Sequence, residues 1–332
     1  MWHSRSLVTR PKGRGILTTM NEPRTRQVVP PQRLRPARRR RSRAAAWTQY
    51  AALRAAIFVC GVLPDSAAYA LARVLGRAGW LHARFRRTAL ANVRKALGAS
   101  MTDNEIVRIA RAAFFHLALS AIESARSLST RSGPQSDRFE VAGLDHFEAA
   151  AEQGKGIIIL TGHLGNWETC GGWFSCNVHR IAAIARRQPN PWINRLVMRY
   201  RQRTGLTILP KHTPPAVIRS FLADRCAVAF LADQYGGASG VEVTFFGMRT
   251  TAPRGPMVYA LRTGAPVVPI FAVRSPGRHF HHRICIAPPL GLARTGHTAR
   301  DVRVNTQKGI TVLESYIRRH PEQWLWMHRR WR

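Results

Sequence analysis

The amino-acid sequence predicts an α/β fold with a largely parallel central sheet flanked by helices, preceded by a helical, membrane-associating region. Two observations predict this class. From residue 155 onward, short apolar runs of strand length alternate with stretches of helical length, which is typical of a parallel sheet. Before residue 130, apolar residues instead recur at helical intervals. The predicted strands are Gly156–Leu160, Ile181–Ala185, Thr207–Leu209, Cys226–Ala232, Pro266–Val273 and His282–Ala287.

The composition divides the chain into three parts. Residues 1–45 contain thirteen Lys or Arg against one acidic residue, Glu22, and we expect them to form a disordered basic tail. The first 14 residues lack an apolar segment, so no cleavable signal peptide is expected. Residues 46–130 are predicted to be the helical membrane-associating region, and residues 131–332 the α/β domain that carries the chemistry.

The first predicted helix lies within AAWTQYAALRAAIFVCGVL, residues 45–63. Its uninterrupted apolar run, Ala55–Leu63, is well short of the roughly 20 residues that a spanning helix needs. We therefore expect an interfacial helix with Trp47, Tyr50 and Arg54 at headgroup depth, the alternative being an ordinary buried helix. Helices are also predicted across residues 66–128, one of them starting at a capping box in TDNE, residues 102–105.

The charge and the cysteines limit the classes of function. The formal net charge is +35, and the chain beyond the basic tail is itself strongly basic. The folded part should therefore face something anionic: nucleic acid, a membrane surface or an acidic substrate. The five cysteines show neither a CxxC pair nor zinc-ligand spacing, so we expect reduced thiols in a cytosolic compartment. No metal-ligand set appears in the sequence, and we expect neither a metal site nor a cofactor.

The segment LTGHLGNWE, residues 160–168, carries the candidate chemistry. His163 follows a buried strand, and in parallel sheets the active site lies at the carboxyl ends of strands. On a continuous helix, His163 and Glu168 would lie roughly 140° apart, but Gly162 and Gly165 allow the chain to curl before a helix begins near Asn166 or Trp167. The carboxylate would then hold one imidazole nitrogen, leaving the other to take a proton from a hydroxyl. The alternative is a helix-capping histidine with an unrelated glutamate.

Six segments, in order, resemble those of the late acyltransferases of lipid A biosynthesis, within the acyltransferase superfamily that shares a His-x4-Asp/Glu signature. The resemblance extends over residues 50–331. It implies transfer of an acyl chain from a thioester, normally on acyl carrier protein, to a hydroxyl of a glycolipid. The segments are GHLGNWE (162–168), ARRQPNPWINRL (185–196), LADQ (231–234), VTFFG with TTAPRG (243–255), GAPVVPIF (264–271) and HPEQWLWMHRRW (320–331).

The resemblance also implies catalytic roles. His163 would be the general base and Glu168 the residue that orients it. Arg187 would stabilise the oxyanion, with phosphate binding or simple solvation as its alternative. Asp233, at the end of a predicted strand, would be a further catalytic residue, although a structural hydrogen-bonding role is also open.

Substrate contacts are expected at Asn166, Gln234, Phe245, Phe246 and Arg329. The two phenylalanines fit the core of the protein as well as an acyl-chain wall. The terminal WLWMHRRWR interleaves tryptophans with arginines, which suits a membrane interface, and the alternative is a packed last helix with a solvated basic end.

The partners expected on this basis are acyl carrier protein, an anionic glycolipid acceptor of the lipid A type, and the cytoplasmic side of the cell inner membrane. A second hypothesis keeps the chemistry and makes a phosphatidylinositol mannoside the acceptor. A third, suggested only by charge, is nucleic-acid binding. The sequence contains no recognisable nucleic-acid-binding motif, so we expect no nucleic-acid partner.

Overall fold

The N-terminal part of the fold is a set of four helices. The structure, a computed structural model, describes residues 42–129, 136–278 and 280–331. The four helices are α1 (Arg43–Val62), α2 (Asp65–Leu81), α3 (Ala83–Leu97) and α4 (Asp103–Ser129). Residues 43–45 therefore belong to α1 and not to the predicted basic tail. The rest of that tail, residues 1–41, lies outside the described residues.

The predicted capping box at the start of α4 is confirmed. The Thr102 backbone N–H donates to the Glu105 carboxylate (2.8 Å), and the Glu105 N–H donates to the Thr102 hydroxyl (3.4 Å). Each side chain thus satisfies an amide that the first helical turn leaves without an intrahelical partner.

The α/β part alternates strands and helices. Its strands are β1 (Phe139–Ala142), β2 (Ile157–Thr161), β3 (Ile181–Ala185), β4 (Thr207–Pro210), β5 (Ala227–Leu231), β6 (Val241–Phe245), β7 (Met248–Ala252), β8 (Val267–Arg274) and β9 (His282–Ile286). Its helices are α5 (Leu144–Glu152), α6 (Trp167–Asn177), α7 (Pro191–Arg203), α8 (Pro215–Ala223), α9 (Gly255–Thr263) and α10 (Thr298–Arg319).

Seven strands form one central sheet in the order β1-β9-β8-β2-β5-β3-β4. Only the β8–β9 pairing is antiparallel, so the prediction of a largely parallel sheet is confirmed. All six predicted strands are present, each within one residue of its expected bounds. Strand β1 and the antiparallel β6–β7 hairpin, whose turn is Phe246-Gly247, were not predicted from the sequence.

Both faces of the sheet are buried. Ile157 and Ile159 of β2 face a core that includes Phe147 of α5 and Phe174 of α6. The intervening Ile158 and Leu160 face the opposite core, built with α3, α4, α9 and α10. Burial on both faces explains why these strands read as continuous apolar runs.

The helices α1 to α4 carry the large apolar side chains that the described part of the chain leaves exposed. These are Trp47, Phe58, Val59, Val62, Val74, Leu75, Leu81, Phe85 and Leu117. Among the described residues, no helix combines the length and the apolar character needed to cross a membrane.

Candidate active site

His163 and Asp233 meet because their strands are neighbours. The register of the β2–β5 pair places Thr161 opposite Leu231, and His163 and Asp233 each lie two residues further along. Parallel neighbours end at the same edge of the sheet, so the two side chains emerge together, as expected for a site at the carboxyl ends of strands.

The Asp233 carboxylate makes three hydrogen bonds. Its Oδ1 lies 2.8 Å from His163 Nδ1, while its Oδ2 accepts from the His163 backbone N–H (2.7 Å) and from the Trp324 indole N–H (2.9 Å). The carboxylate is almost completely buried. With Asp233 ionised, Nδ1 carries the proton and donates it, which leaves the Nε2 lone pair available.

The electrostatics agree with this arrangement. Burial raises the pKa of Asp233, but His163 and the three hydrogen bonds outweigh burial and lower that pKa to about 2. Burial likewise lowers the pKa of His163, but the Asp233 charge and its hydrogen bond prevail and raise that pKa above its usual value. The pair therefore combines an ionised carboxylate with a more basic imidazole.

The contact expected between Glu168 and the imidazole is wrong. Glu168 lies in the first turn of α6, where it forms a two-pronged ion pair with Arg201 of α7 (2.7 and 2.8 Å). The residue that does approach the ring from α6 is Trp167, whose ring centroid lies 4.7 Å from that of His163. The helix starts so soon after His163 that Glu168 projects toward α7, and the orienting carboxylate comes from β5.

The predicted role of Gly165 in the turn is confirmed by its conformation and its surroundings. Gly165 has φ +59°, and a Cβ there would lie 2.1 Å from the Ala272 carbonyl oxygen. At Gly162 a Cβ would lie 2.8 Å from Leu313 Cδ1. The turn from β2 into α6 therefore requires glycine at position 165, for backbone conformation and for close approach, whereas a side chain at position 162 would have to displace the tip of the Leu313 side chain.

Asn166 is placed away from any substrate. It caps α6 by accepting from the Thr169 N–H (3.1 Å), as the predicted helix start requires, and its amide donates to Glu123 of α4 (2.7 Å). Its exposure is 1%. The expectation of a substrate contact at Asn166 is thus corrected, because both ends of its amide are used inside the protein.

A cavity of about 690 Å³ opens beside His163, a size typical of small-molecule sites. Its apolar lining comes from one face of the sheet and from α6, and includes Ile159, Phe174, Ile181, Ile208 and Ile270. Its polar lining includes Glu168, Arg186, Arg201, Lys211, Gln234 and Arg254. The cavity therefore offers an apolar compartment next to a polar, mostly basic one.

Two predicted residues are placed differently around this cavity. Gln234 lines it, with its amide nitrogen 3.4 Å from His163 Nε2. Arg187 is exposed just beyond β3 and is not among the lining residues, whereas its neighbour Arg186 is. Of these two neighbouring arginines, only Arg186 therefore borders the cavity.

The aromatic residues of the C-terminal half form a buried cluster. Phe245 and Phe246 are 0% and 5% exposed and pack on Trp324 and Trp331. They are core residues and do not line the cavity, so the acyl-wall alternative is wrong.

The terminal segment also packs into the protein. Trp324 and Trp326 are buried, in an extended stretch that follows α10 and is not a helix. Arg330 is buried too and donates to the Thr250 hydroxyl (2.8 Å). Arg329 is exposed and is not among the residues that line the cavity. The membrane-interface interpretation of these tryptophans is therefore wrong.

Sequence reasoning missed Arg201, Glu123 and the role of Trp324. Glu123 had a detectable signal: it continues the buried stripe of α4 that begins with Ile106, Ile109 and Ala113, where a charged residue needs a buried partner. Among the described residues there is no cluster of three or more potential metal ligands.

The fold and the site define an α/β protein in which a His–Asp pair borders a partly apolar cavity at the carboxyl edge of the sheet. The chain belongs to the bacterial lipid A biosynthesis acyltransferase family, whose family model matches residues 36–332.

Individual relatives are more distant. A phosphatidylinositol mannoside acyltransferase from Mycolicibacterium smegmatis is 30% identical over 142 residues, 42% of this chain and 47% of the relative. One from Mycobacterium tuberculosis is 29% identical over 195 residues, 58% of this chain and 59% of the relative. The lipid A biosynthesis palmitoleoyltransferase of Escherichia coli is 26% identical over 196 residues, 58% and 61% of the two chains. The aligned part thus spans about half to three-fifths of these relatives.

Proposed function

We propose that this chain transfers a fatty acyl group from an acyl thioester to a hydroxyl of an anionic glycolipid, with His163 as general base and Asp233 orienting it. The observation that carries the proposal is the His163–Asp233 pair, whose imidazole lines the cavity while its Nδ1 is held at 2.8 Å by the carboxylate. Family membership supports the same reaction class.

The reaction follows from the tautomer. Nε2 of His163 takes the proton from the acceptor hydroxyl as its oxygen attacks the thioester carbonyl carbon. The tetrahedral intermediate carries negative charge on the former carbonyl oxygen, and we assign its stabilisation to Arg186, the neighbour of Arg187 that lines the cavity, in the role first expected of Arg187. As the intermediate collapses, the C–S bond breaks and the leaving thiolate takes the proton back from His163. The ester and the free thiol are the products.

The cavity matches both substrates. The apolar lining supports binding of an acyl chain. Burying each CH₂ group of the chain there would stabilise the complex by about 0.8 kcal/mol. At the exposed side, Lys211 and Arg254 have no ion-pair partner among the described residues, and the Glu168 carboxylate is already neutralised by Arg201. This surplus of positive charge favours an anionic headgroup or an acidic donor such as acyl carrier protein.

Two acceptors deserve testing. A lipid A precursor is the first, because the family model and the Escherichia coli relatives carry that name. A phosphatidylinositol mannoside is the second, because the mycobacterial relatives have 29–30% identity against 26–27% for the lipid A enzymes.

We further propose that α1 to α4 bind the cytoplasmic face of the inner membrane. Phe58 and Leu81 are 69% and 75% exposed, and Arg84, Arg86 and Arg87 follow Leu81 closely in the sequence, on α3. Apolar side chains that enter the lipid together with cations that meet phosphates are the features of an interfacial helix. Flotation with anionic vesicles tests this: the double variant Phe58→Ser, Leu81→Ser should stay in the soluble fraction, and equal flotation of variant and wild type would contradict it.

Mass spectrometry of lipids tests the reaction. A host lacking its own late acyltransferase would receive wild type, His163→Ala or the control His212→Ala, an exposed histidine outside the cavity lining. We expect one added acyl group on lipid A with wild type and His212→Ala only. In a parallel host that makes mannosides, the same gain on that lipid would support the second acceptor. No acyl gain on any glycolipid in either host would reject the proposed function.

A further inference from the structure

A cluster of buried charges lies behind the His163 turn. Glu123 of α4 pairs with Arg274 at the end of β8, and its Oε1 also lies 2.9 Å from His282 Nε2 of β9. The side chains of all three residues are no more than 6% exposed. Burial raises the pKa of Glu123, but Arg274 and His282 outweigh it and lower that pKa to about 2, so the carboxylate is charged.

Such a cluster is a poor source of stability. Removing several charges from water costs about as much as their attraction returns, and a well-packed apolar group is often equal or better. A buried ion cluster therefore needs another reason, and the contacts of this one indicate it.

The cluster holds the turn that carries His163. Glu123 Oε2 accepts from the Asn166 amide (2.7 Å), and Arg274 donates to the Ser120 hydroxyl (3.1 Å). Ser120 in turn donates to the Gly165 carbonyl (3.2 Å). Two residues that frame the turn are thus tied to α4 through the charged cluster.

The C-terminal segment, residues 323–325, holds the same turn from the other side. The Arg274 backbone N–H donates to the Gln323 side chain (2.7 Å), and the Gln323 carbonyl accepts from the Gly165 N–H (3.0 Å). The Leu325 N–H donates to the His163 carbonyl (3.2 Å). The same segment contains Trp324, whose indole N–H donates to Asp233. It therefore contacts both members of the His163–Asp233 pair.

We infer that Glu123, acting through Arg274, Ser120 and Asn166, is a positioning residue for the general base. It holds the backbone of residues 163–166 so that His163 meets Asp233 and the acceptor hydroxyl in the required geometry. The inference rests on the proposed function, because it concerns the same histidine.

Three variants test it in the full-length chain. Glu123→Gln keeps the shape and removes the charge, and Ser120→Ala removes one hydroxyl contact with little risk to folding. The matched control is Asp301→Asn, a buried carboxylate that hydrogen-bonds Thr295 at the start of α10 and does not contact the turn. Since a misplacement of about 1 Å can cost about 100-fold in rate, we expect kcat to fall about 10- to 100-fold in Glu123→Gln and less in Ser120→Ala. The KM of both variants should stay near the wild-type value, and the Asp301→Asn control should keep the wild-type kcat and KM.

Two readouts separate positioning from general stability. In a His163→Ala background, Glu123→Gln should cause no further loss of kcat, because the group that it positions is absent. In NMR spectra of protein with isotope-labelled histidine, the Nδ1–H signal of His163 should shift or broaden in Glu123→Gln and not in Asp301→Asn.

A kcat within twofold of wild type for folded Glu123→Gln, or an equal loss in the His163→Ala background, would overturn the inference. If wild type transfers no acyl group, the proposed function fails, and the histidine spectrum decides the inference alone: an unchanged His163 signal in Glu123→Gln refutes it.

Discussion

Replacing Asp233 with asparagine should reverse the tautomer of His163. Two N–H groups, the backbone of His163 and the indole of Trp324, converge on Oδ2 of Asp233. An asparagine would place its amide oxygen there, which directs its NH₂ group at Nδ1. Nδ1 must then accept, the proton moves to Nε2, and no lone pair faces the acceptor hydroxyl.

The magnitude follows from that tautomer. In a serine-protease triad the same change costs about 10⁴-fold in kcat, and we expect a loss of about 10³- to 10⁴-fold here. Stability should fall as well. With the pKa of Asp233 lowered from 3.8 to about 2, the folded state favours the carboxylate by about 2–3 kcal/mol. That stabilisation is fully present above pH 3.8 and disappears as the pH falls through about 2, so the difference between variant and wild type should vanish in acid.

The assay is kcat/KM against pH for wild type, Asp233→Asn and Glu168→Gln. Wild-type activity should rise as the pH passes the pKa of His163, which Asp233 holds above its usual value. Residual activity in Asp233→Asn should rise at lower pH, while Glu168→Gln should keep the wild-type profile whatever its rate. A profile shifted by Glu168→Gln and unchanged by Asp233→Asn would refute the assignment of Asp233 as the orienting carboxylate.

Three further substitutions probe the framework of the site. Glu123→Ala leaves a buried guanidinium unpaired and should lower the free energy of unfolding by about 3–5 kcal/mol in urea titrations; a loss below 1 kcal/mol would contradict the buried cluster. Gly165→Ala meets a positive φ and a carbonyl oxygen and should cost more than about 2 kcal/mol, whereas Gly291→Ala, with open space around it, should be neutral. Trp324→Phe removes one hydrogen bond to Asp233, so the pKa of that carboxyl should rise towards 3.8 and kcat should fall about tenfold; unchanged kcat would show that the indole only fills space.

Contacts between neighbours in the chain explain which parts of the fold were predictable. The β2 strand appears as an apolar run because both faces of the sheet are covered, and α4 begins where Thr102 and Glu105 cap each other. Gly165 marks the turn because its positive φ favours glycine and the nearby Ala272 carbonyl oxygen leaves no room for a Cβ. These features arise within a few residues of sequence, so a sequence pattern suffices to predict them.

The residues around the site depended on contacts between distant parts of the chain. From the sequence, Glu168 and Asp233 were both candidate site carboxylates. Glu168 is close to His163 in the chain, whereas Asp233 lies at the end of a different predicted strand. No local pattern shows that β2 and β5 are neighbours in the sheet, and that adjacency brings Asp233 to the imidazole. The Glu168 carboxylate instead pairs with Arg201, which lies 33 residues away in the chain.

By itself, the sequence determined the α/β class, the strand ends, the turn at Gly165 and the candidacy of His163, because hydrophobic period, capping and backbone freedom are local properties. Only the tertiary structure decided which carboxylate orients His163, that Arg186 lines the cavity in place of Arg187, and that Trp324 and Trp326 are core residues. Those outcomes depend on strand order and on which face of an element is covered, and both are set by packing between segments far apart in the chain.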